Sequence, residues 1–357
     1  MKVLHLPTYT GGQAWRLAQA EKNLGLTSEV LYRKNEWLDY PCDLNLELDK
    51  TPSALFQLTK LMSTFLQIRN KYDVFHFNFG SSLFHSPNYQ LNQLELPFYP
   101  KKAKLFVTYN GCDIRQKYPT MLRTKIAACH NLNCYNGQCN SGKLDEFRRK
   151  GIEKMQRYVK HIWALNPDLL YFLPPEKSSF LPYIADSQNI NIVPPKLDKK
   201  ITIVHAPTNQ EAKGSQYIFS AIQKIEQQYP NIIELKLIEN IPHQQALKIY
   251  QQADLIIDQI LVGWYGGLAV ETMQMGKPVI ARIAEEDLHF LTQEMKKDVL
   301  ETVINANPDT IYNVLCNLID NRIMLKESSQ ASVEYVNRWH SYKYVAGLTK
   351  ERYELTN

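Results

Sequence analysis

Two glycines before an apolar segment give the second half of the chain a candidate anion site. The stretch LVGWYGGLAVETMQMGKPVI, residues 261–280, places Gly266 and Gly267 where an apolar run with helical spacing begins. The first amides of a helix have no carbonyl partner within it and lie at the positive end of its dipole. The amides of Gly267, Leu268 and Ala269 are therefore predicted to bind phosphate. Glu271, one turn further, is placed to accept hydrogen bonds from a sugar hydroxyl.

A second group of polar residues follows an earlier apolar strand in the same half. The stretch HAPTNQEAKGS puts Lys213 before Gly214, with Thr208 and Asn209 offering a hydroxyl and an amide. Ligands of open parallel sheets bind outside the carboxyl ends of the strands. The two groups together therefore predict a site for a nucleoside diphosphate.

The elements that must position these residues alternate between short apolar runs and amphipathic segments. This alternation predicts parallel, doubly wound sheets in both halves of the chain. A polar, proline-containing stretch over residues 184–200 is interpreted as the linker between them. The predicted strands are residues 2–6, 28–32, 73–77, 104–109 and 161–165 in the first half and 201–206, 233–238, 254–259 and 277–282 in the second.

The bulk composition is that of a globular protein of about two domains. The chain has 357 residues, of which 44% are hydrophobic and 22% are charged. No apolar run approaches the roughly 20 residues that span a bilayer, and the first residues resemble a strand rather than a leader. We therefore expect a soluble, cytoplasmic protein whose six cysteines are reduced.

At these motifs the chain resembles the GT-B-fold glycosyltransferases, and among them the retaining family 4. The matching features are the Gly11–Gly12 turn, the Lys-Gly pair at Lys213, and the run from Tyr265 through Val279. The resemblance implies two Rossmann-like, doubly wound parallel-sheet domains that face a central cleft. It assigns residues 1–185 to an acceptor-side domain, 186–335 to a nucleotide-sugar donor domain, and 336–357 to a helix that packs back on the first.

The resemblance also implies roles for individual residues of the second half. Lys213 would neutralise the donor diphosphate, the amides of residues 266–268 would hold it, and Glu271 would hold the ribose. Two positions depart from the family pattern. Gly263 stands where a glutamate usually contacts the transferred sugar, and Thr208 stands where an arginine is usual.

In the first half, the resemblance points to residues after two predicted strands. Gly12 and Gln13 follow the first strand, where a glycine turn permits close backbone approach to the donor and the acceptor. Asn110 stands where a histidine near the reacting centre is common, so it can form a hydrogen bond but cannot act as a base. Asp113 and Arg115 are the predicted acceptor-binding groups, with loop capping and an ion pair as the alternative.

The cysteines of the loop CHNLNCYNGQC are candidate ligands of a metal ion. Cys129, Cys134 and Cys139 are spaced by five residues and could contribute to a tetrahedral zinc site, although the spacing is not that of a C-x2-C motif. Reduced, buried thiols are the alternative. The family resemblance implies no required cofactor, because the nucleotide sugar is a substrate.

Positive charge is concentrated in residues 101–160, which hold 14 Lys or Arg and 4 Asp or Glu. A solvated surface is one interpretation. The resemblance favours another, contact with anionic lipids at the inner membrane surface, because many such enzymes extend lipid-linked glycans. No nucleic-acid partner is expected, since no recognised binding motif accompanies the charge.

The predicted activity is transfer of a sugar, with retention, from a UDP or GDP sugar to a hydroxyl of a glycan or lipid-linked acceptor, in cell-surface polysaccharide assembly. Asn110 and Lys213 are the residues expected nearest the chemistry. Two alternatives stay open: a sugar-nucleotide 2-epimerase of the same fold, and a non-catalytic subunit that binds a nucleotide sugar or glycan.

Overall fold

The computed structural model describes residues 1–34, 40–51, 53–186, 190–196 and 200–355. Residues 187–189 and 197–199 of the predicted linker lie outside the described residues. The chain forms two compact units. The first unit comprises Met1–Gln116, Ser141–Ser187 and Tyr342–Asn357, and the second comprises Lys117–Asn140 and Gln188–Ser341.

Each unit is built on one parallel sheet. In the described part of the chain, the strands are β1 (Lys2–Leu6), β2 (Thr27–Tyr32), β3 (Leu44–Asn45), β4 (Val74–Asn78), β5 (Lys104–Tyr109), β6 (His161–Ala164), β7 (Ser178–Phe180), β8 (Ile201–His205), β9 (Ile233–Leu237), β10 (Leu255–Ile257), β11 (Val279–Ala281) and β12 (Ile304–Asn305).

Helices follow most of these strands, together with several short 3-10 turns. The α-helices are α1 (Gln13–Asn23), α2 (Ala54–Ile68), α3 (Lys117–Arg123), α4 (Lys143–Met155), α5 (Gln210–Lys213), α6 (Ser215–Gln228), α7 (His243–Tyr250), α8 (Gly267–Gln274), α9 (Gln293–Thr302), α10 (Ile311–Asp320), α11 (Ile323–Trp339) and α12 (Tyr342–Leu355).

The strand order of the first sheet is β3-β2-β1-β4-β5-β6-β7, and that of the second is β12-β11-β10-β8-β9. The order reverses between β1 and β4 in the first unit and between β8 and β10 in the second. Such a reversal opens a crevice at the carboxyl ends of the two strands. The predicted α/β fold class, with two Rossmann-like parallel-sheet domains, is confirmed.

The central strands are almost continuously apolar, because both faces of a parallel sheet are covered. In the first unit, Phe75, Phe77 and Val107 are fully buried in one apolar cluster. In the second unit, Ile257 and Ile280 are fully buried in another. The edge strands β3, β7 and β12 are only two or three residues long and are absent from the sequence-based prediction, because they carry too little pattern.

The segment 117–140 belongs to the second unit, although the predicted boundaries place it in the first domain. An ion pair joins Arg123 to Asp287 with a distance of 2.5 Å between Nη1 and Oδ1. The side chain of Asn131 donates to the carboxylate of Glu211. Sequence order alone therefore misplaces this insertion, since its partners lie 80 and 164 residues further along the chain.

Helix α12 packs on α1 and on the sheet of the first unit through buried polar groups. His76 is fully buried, and its ring nitrogens lie 2.6 Å from Tyr353 Oη and 2.6 Å from Thr108 Oγ1. The hydroxyl of Thr349 donates to the Glu21 carboxylate over 3.2 Å. Burial holds the pKa of His76 well below its ordinary value, so this histidine is a neutral part of the core.

Candidate functional site

Lys213 is brought to the crevice of the second unit by a short helix and a tight turn. The side chain of Asn209 caps α5 by accepting a hydrogen bond from the Ala212 amide over 2.8 Å. Gly214 follows with φ +81°, and a Cβ there would lie 2.9 Å from side-chain atoms of Ile260 and Leu261. Glycine therefore allows the end of α5 to pack against the loop that follows β10.

The loop after β10 supplies an acid that the motif search missed. Asp258 is fully buried, and its Oδ1 lies 2.9 Å from the Lys213 ammonium. Its Oδ2 accepts a hydrogen bond from the Gly266 amide over 2.5 Å. Gln259 adds a further acceptor, because its Oε1 lies 2.5 Å from Lys213 Nζ. The sequence signal was an acid at the carboxyl end of the apolar run DLIID, beside the strand-order reversal.

The amides at the start of α8 are only partly as predicted. Gly266 is the residue that precedes the helix, and its N–H is already bonded to Asp258. The next amides, those of Gly267, Leu268 and Ala269, lie in the first turn, where no carbonyl of the helix can reach them. The amides left for an anion are therefore those of residues 267–269, as the sequence indicates, whereas the resemblance also included Gly266.

Gly266 has a spatial reason to be glycine, whereas Gly267 has none in this structure. A Cβ on Gly266 would lie 3.2 Å from Asp258 Oδ2 and 3.4 Å from Lys213 Nζ, but a Cβ on Gly267 would meet no atom within 4 Å. The space beside Gly267 is open, so a group outside the chain can approach the backbone there.

Glu271 is oriented by a neighbouring helix. Its Oε2 lies 3.0 Å from Nε2 of His243, the first residue of α7, and the side chain is largely buried. Thr208, by contrast, is exposed in the loop between β8 and α5. His205, at the end of β8, bonds Ile257 O through Nδ1 and Ser215 Oγ through Nε2, over 2.8 and 2.7 Å.

Those contacts explain the protonation state of His205. Burial lowers its pKa, and the nearby positive charge of Lys213 lowers it further, although the carbonyl contact acts in the opposite direction. The carbonyl of Ile257 can only accept, so Nδ1 carries the proton and the neutral ring holds β8, β10 and α6 in register.

Gly263, the position where the family pattern has a glutamate, leaves no room for a side chain. A Cβ there would lie 2.6 Å from Ala284 Cβ and 3.4 Å from both Arg282 Nη1 and Asp287 Oδ2. Contacts below 3 Å are not tolerated without a backbone shift. At position 263 this chain therefore lacks both the glutamate of the family pattern and the space for a glutamate side chain.

The two predicted residues that follow β1, Gly12 and Gln13, contact other residues of the first unit. Gln13 accepts a hydrogen bond from the Ile184 amide over 2.9 Å and donates to Gly11 O over 3.5 Å. Gly12 has φ +65°, and a Cβ on it would lie 2.7 Å from the Tyr40 ring. Tyr40 rather than open space lies against this glycine.

Arg115 forms a closed ion pair with Asp168. Its Nε and Nη2 lie 2.6 and 2.9 Å from the two carboxylate oxygens, and both side chains are buried. Asp113 accepts hydrogen bonds from the amides of Asn110 and Gly111, so it caps its own loop. Burial raises the pKa of Asp113 to about 6, against the opposing effect of these amides.

Asn110 differs from its neighbours because part of its side chain is unused. Its backbone carbonyl accepts from Asn166 Nδ2 over 2.9 Å, but its side-chain Oδ1 is buried and has no hydrogen-bond partner among the described residues. A buried acceptor without a partner costs free energy. Asn110 is thus the predicted first-unit residue that a ligand donor would satisfy.

The three loop cysteines do not come together as a metal site in the described ranges. None of the six cysteines forms a disulfide. Among the described residues, three potential metal ligands lie within 4.8 Å of one another. They are His5, Glu21 and His76, in the core of the first unit. The predicted zinc site at Cys129, Cys134 and Cys139 therefore has no geometric support.

Much of the positive charge in residues 101–160 is used in internal contacts, and the segment is divided between the two units. The charged groups with acceptors inside the chain include Lys104, Arg115, Lys117, Arg123, Arg148, Arg149, Lys150 and Lys154. No helix within the described part of the chain is long and apolar enough to cross a membrane.

No protein-family model and no curated protein matches the chain. Solved structures do. The chain is similar to sucrose-phosphate synthase from Thermosynechococcus elongatus, with a TM-score of 0.62 and 14% identity over 99% of this chain and 98% of that one.

It is also similar to a UDP-GlcNAc 2-epimerase from Neisseria meningitidis in a structure bound to UDP-GlcNAc, with a TM-score of 0.52 and 16% identity over all of both chains. A third match is TarM, with a TM-score of 0.51 and 12% identity over 82% of this chain and 58% of that one. At such identities a likeness shows the fold, and we conclude that the chain has the GT-B fold.

Proposed function

We propose that the protein is a glycosyltransferase that binds a nucleotide-diphosphate sugar on its second unit. The nucleotide is UDP or GDP, and the sugar passes with retention to a hydroxyl of a glycan or lipid-linked acceptor. One observation carries the proposal: Lys213, Asp258 and the start of α8 meet where the strand order reverses. Parallel sheets bind nucleotide ligands at such a place.

Lys213 is the group that would change partner on binding. Its ammonium is bonded to Asp258 and Gln259, and its side chain keeps 17% of its surface exposed. A diphosphate beside it would offer more negative charge than one carboxylate. The amides of residues 267–269 would then complete the anion's hydrogen bonds, as helix starts do for phosphates.

The transfer step needs positioned charge more than a protein nucleophile. The acceptor oxygen forms a bond to the anomeric carbon while the bond from that carbon to the diphosphate oxygen breaks. The hydroxyl proton passes to the departing diphosphate. Lys213 and the α8 amides would stabilise the charge on that leaving group.

A 2-epimerase is the second candidate. It is favoured by the match over the whole of both chains to a UDP-GlcNAc 2-epimerase structure. A non-catalytic subunit that binds the nucleotide sugar is the third, motivated by Gly263, Thr208 and Asn110 at usual donor-site positions. Both would share the nucleotide site but differ in the product formed.

A donor panel separates these activities. The protein is incubated with UDP-, GDP- and dTDP-sugars, with and without a membrane extract, and nucleotide release and sugar configuration are followed by NMR. Release that depends on the extract supports transfer. Conversion at C2 without an acceptor identifies the epimerase, and saturable binding without turnover identifies the binding subunit.

The site assignment needs a variant that does not simply unfold. Lys213→Ala alone leaves the Asp258 charge buried and unpaired, at a cost of about 3–5 kcal/mol. The double variant Lys213→Met/Asp258→Asn removes both charges instead. We expect it to weaken binding of the preferred nucleotide by about 100-fold, since a charged hydrogen bond contributes roughly 1.5–3 kcal/mol.

The matched control is Lys71→Met/Glu29→Gln, which removes an ion pair of the first unit. It should leave nucleotide affinity unchanged. Equal affinity of the Lys213→Met/Asp258→Asn variant and the wild type would overturn the site assignment.

A further inference from the structure

Helix α2 presents an outer face of large apolar side chains to solvent. The helix packs on the first unit through Phe65 and Ile68, which are its buried residues. Its outward side chains are 47–70% exposed, namely Leu55, Phe56, Leu58, Met62 and Leu66. A surface helix of a globular protein normally turns such residues toward the core.

The exposed residues form a continuous stripe. Leu55, Leu58, Met62 and Leu66 follow the spacing that places side chains on one face of a helix. At 1.5 Å per residue the stripe is about 16 Å long. Contiguous apolar surface of this kind marks an interaction site rather than scattered exposure.

The charge on the helix itself has one sign, although Glu47 in the preceding turn lies near Lys60. Helix α2 contains no Asp or Glu, whereas Lys60 lies on it and Arg69 ends it. Beside the stripe lies an open groove of about 430 Å³. Its lining combines one ammonium, three hydroxyls and one ring, from Lys60, Thr51, Thr59, Ser63 and Phe56.

We propose that helix α2 docks on an anionic lipid surface. The stripe would lie at the boundary between headgroups and acyl chains, and the Lys60 groove would receive a headgroup phosphate. Apolar and basic groups on one surface helix match both layers of an anionic membrane. A second copy of the chain is the poorer occupant, because it would bring another acid-free, positively charged helix against the first.

This surface differs from the one predicted in residues 101–160. At least eight cations of that segment have acceptors inside the chain, whereas the stripe on α2 has its apolar side chains in solvent. Lipid binding by α2 requires no nucleotide, so its outcome is independent of the proposed transferase activity.

Vesicle co-sedimentation tests the proposal without any nucleotide. Wild-type protein should pellet with vesicles of phosphatidylcholine and phosphatidylglycerol and stay in solution with phosphatidylcholine alone. Leu58→Glu/Met62→Glu should reduce binding to the anionic vesicles by roughly tenfold or more, since two apolar contacts are replaced by charges. Lys60→Glu should weaken binding less and flatten its dependence on salt.

The matched control is Leu122→Glu/Leu132→Glu, which places two charges at apolar residues that are 91% and 65% exposed. It should bind as the wild type does. The substituted leucines and Met62 are exposed and Lys60 is half-buried, and thermal unfolding with circular dichroism verifies that each variant is folded.

Three results would overturn the proposal. The first is wild-type protein that does not pellet with the anionic vesicles, or a stripe variant that binds as tightly as wild type. The second is loss of binding in Lys101→Glu/Lys102→Glu with the stripe variant unaffected, which would assign the contact to the basic segment. The third is a dimer in sedimentation velocity that Leu58→Glu/Met62→Glu abolishes, which would assign the face to a second copy.

Discussion

Two ion pairs with buried acids, one in each unit, show how similar chemistry can serve different purposes. Arg115 and Asp168 in the first unit share two parallel hydrogen bonds, and the acid's two oxygens are both used by the guanidinium. Lys213 and Asp258 in the second unit share one, and the second oxygen of Asp258 binds a backbone amide. The first pair is closed, whereas the second is connected to a helix start.

The two pairs differ in whether the cation can exchange its carboxylate for another acceptor. A planar guanidinium bonded at two points gives fixed geometry that favours a structural role. An ammonium on a flexible stem can turn from one acceptor to another. Because Lys213 also keeps part of its surface exposed beside an open glycine, its pair is suited to ligand exchange.

The largest expected effect is a loss of folding stability when the Arg115–Asp168 pair is broken. Arg115→Ala should lower the free energy of unfolding by about 3–5 kcal/mol, because Asp168 is left buried and unpaired. Urea denaturation measures this loss, and Arg115→Met/Asp168→Asn should recover part of it. Added nucleotide should not change the behaviour of either variant relative to wild type. A loss below 1 kcal/mol for the single variant would contradict a structural role.

The next effect concerns charge competition at the second pair. Asp258→Asn keeps an acceptor for the Gly266 amide but removes the negative charge that Lys213 faces. Nucleotide diphosphate affinity should therefore rise by about tenfold, as expected when a like charge near an anion is removed. Titration calorimetry measures the change, with Glu29→Gln as a control in the first unit. Weaker binding in Asp258→Asn would mean that the acid itself contacts the ligand.

A smaller effect distinguishes the two glycines of the opening motif. Gly266→Ala should cost roughly 1 kcal/mol of stability, because its methyl group would crowd Asp258 and Lys213. Gly267→Ala should instead stabilise the ligand-free protein by about 0.5–1 kcal/mol, since alanine is the better helix former and has open space. Thermal unfolding compares the variants. Equal effects would show that the Asp258 contact does not constrain the loop.

The smallest expected effect is a pH dependence in the first unit. The pKa of Asp113 is about 6 in the folded chain and is lower in the unfolded chain, so the folded state holds the proton more tightly. Stability from this group is present at low pH and is lost as the pH rises through 6. Urea denaturation between pH 4 and 7 should show a slope that Asp113→Asn removes. An unchanged slope would contradict the assignment.

The elements of the fold could be predicted because strand and helix periods are local. The strands β1 and β5 were predicted with the bounds that the structure has. Lys213 and Gly266 were identified from the short motifs that surround them. The short edge strands β3, β7 and β12 could not be predicted, since two or three residues carry no period. The insertion 117–140 was misplaced because its partners lie far away in sequence.

The site was harder to predict for a physical reason. A polar side chain is available to a ligand only if the chain does not use it, and that depends on distant partners. Gln13 meets Ile184, and Arg115 meets Asp168, at separations of 171 and 53 residues. Asp258 was missed because an acid after an apolar strand is common, and only the neighbouring Lys213 makes it distinctive.

A crystal structure of the protein with the UDP or GDP that it binds tests the central claim most directly. We predict that the diphosphate lies within hydrogen-bond distance of Lys213 Nζ and of the first-turn amides of α8, residues 267–269, with Lys213 no longer paired only with Asp258. A diphosphate bound elsewhere, with the Lys213–Asp258 pair and the α8 amides unchanged, would contradict the account.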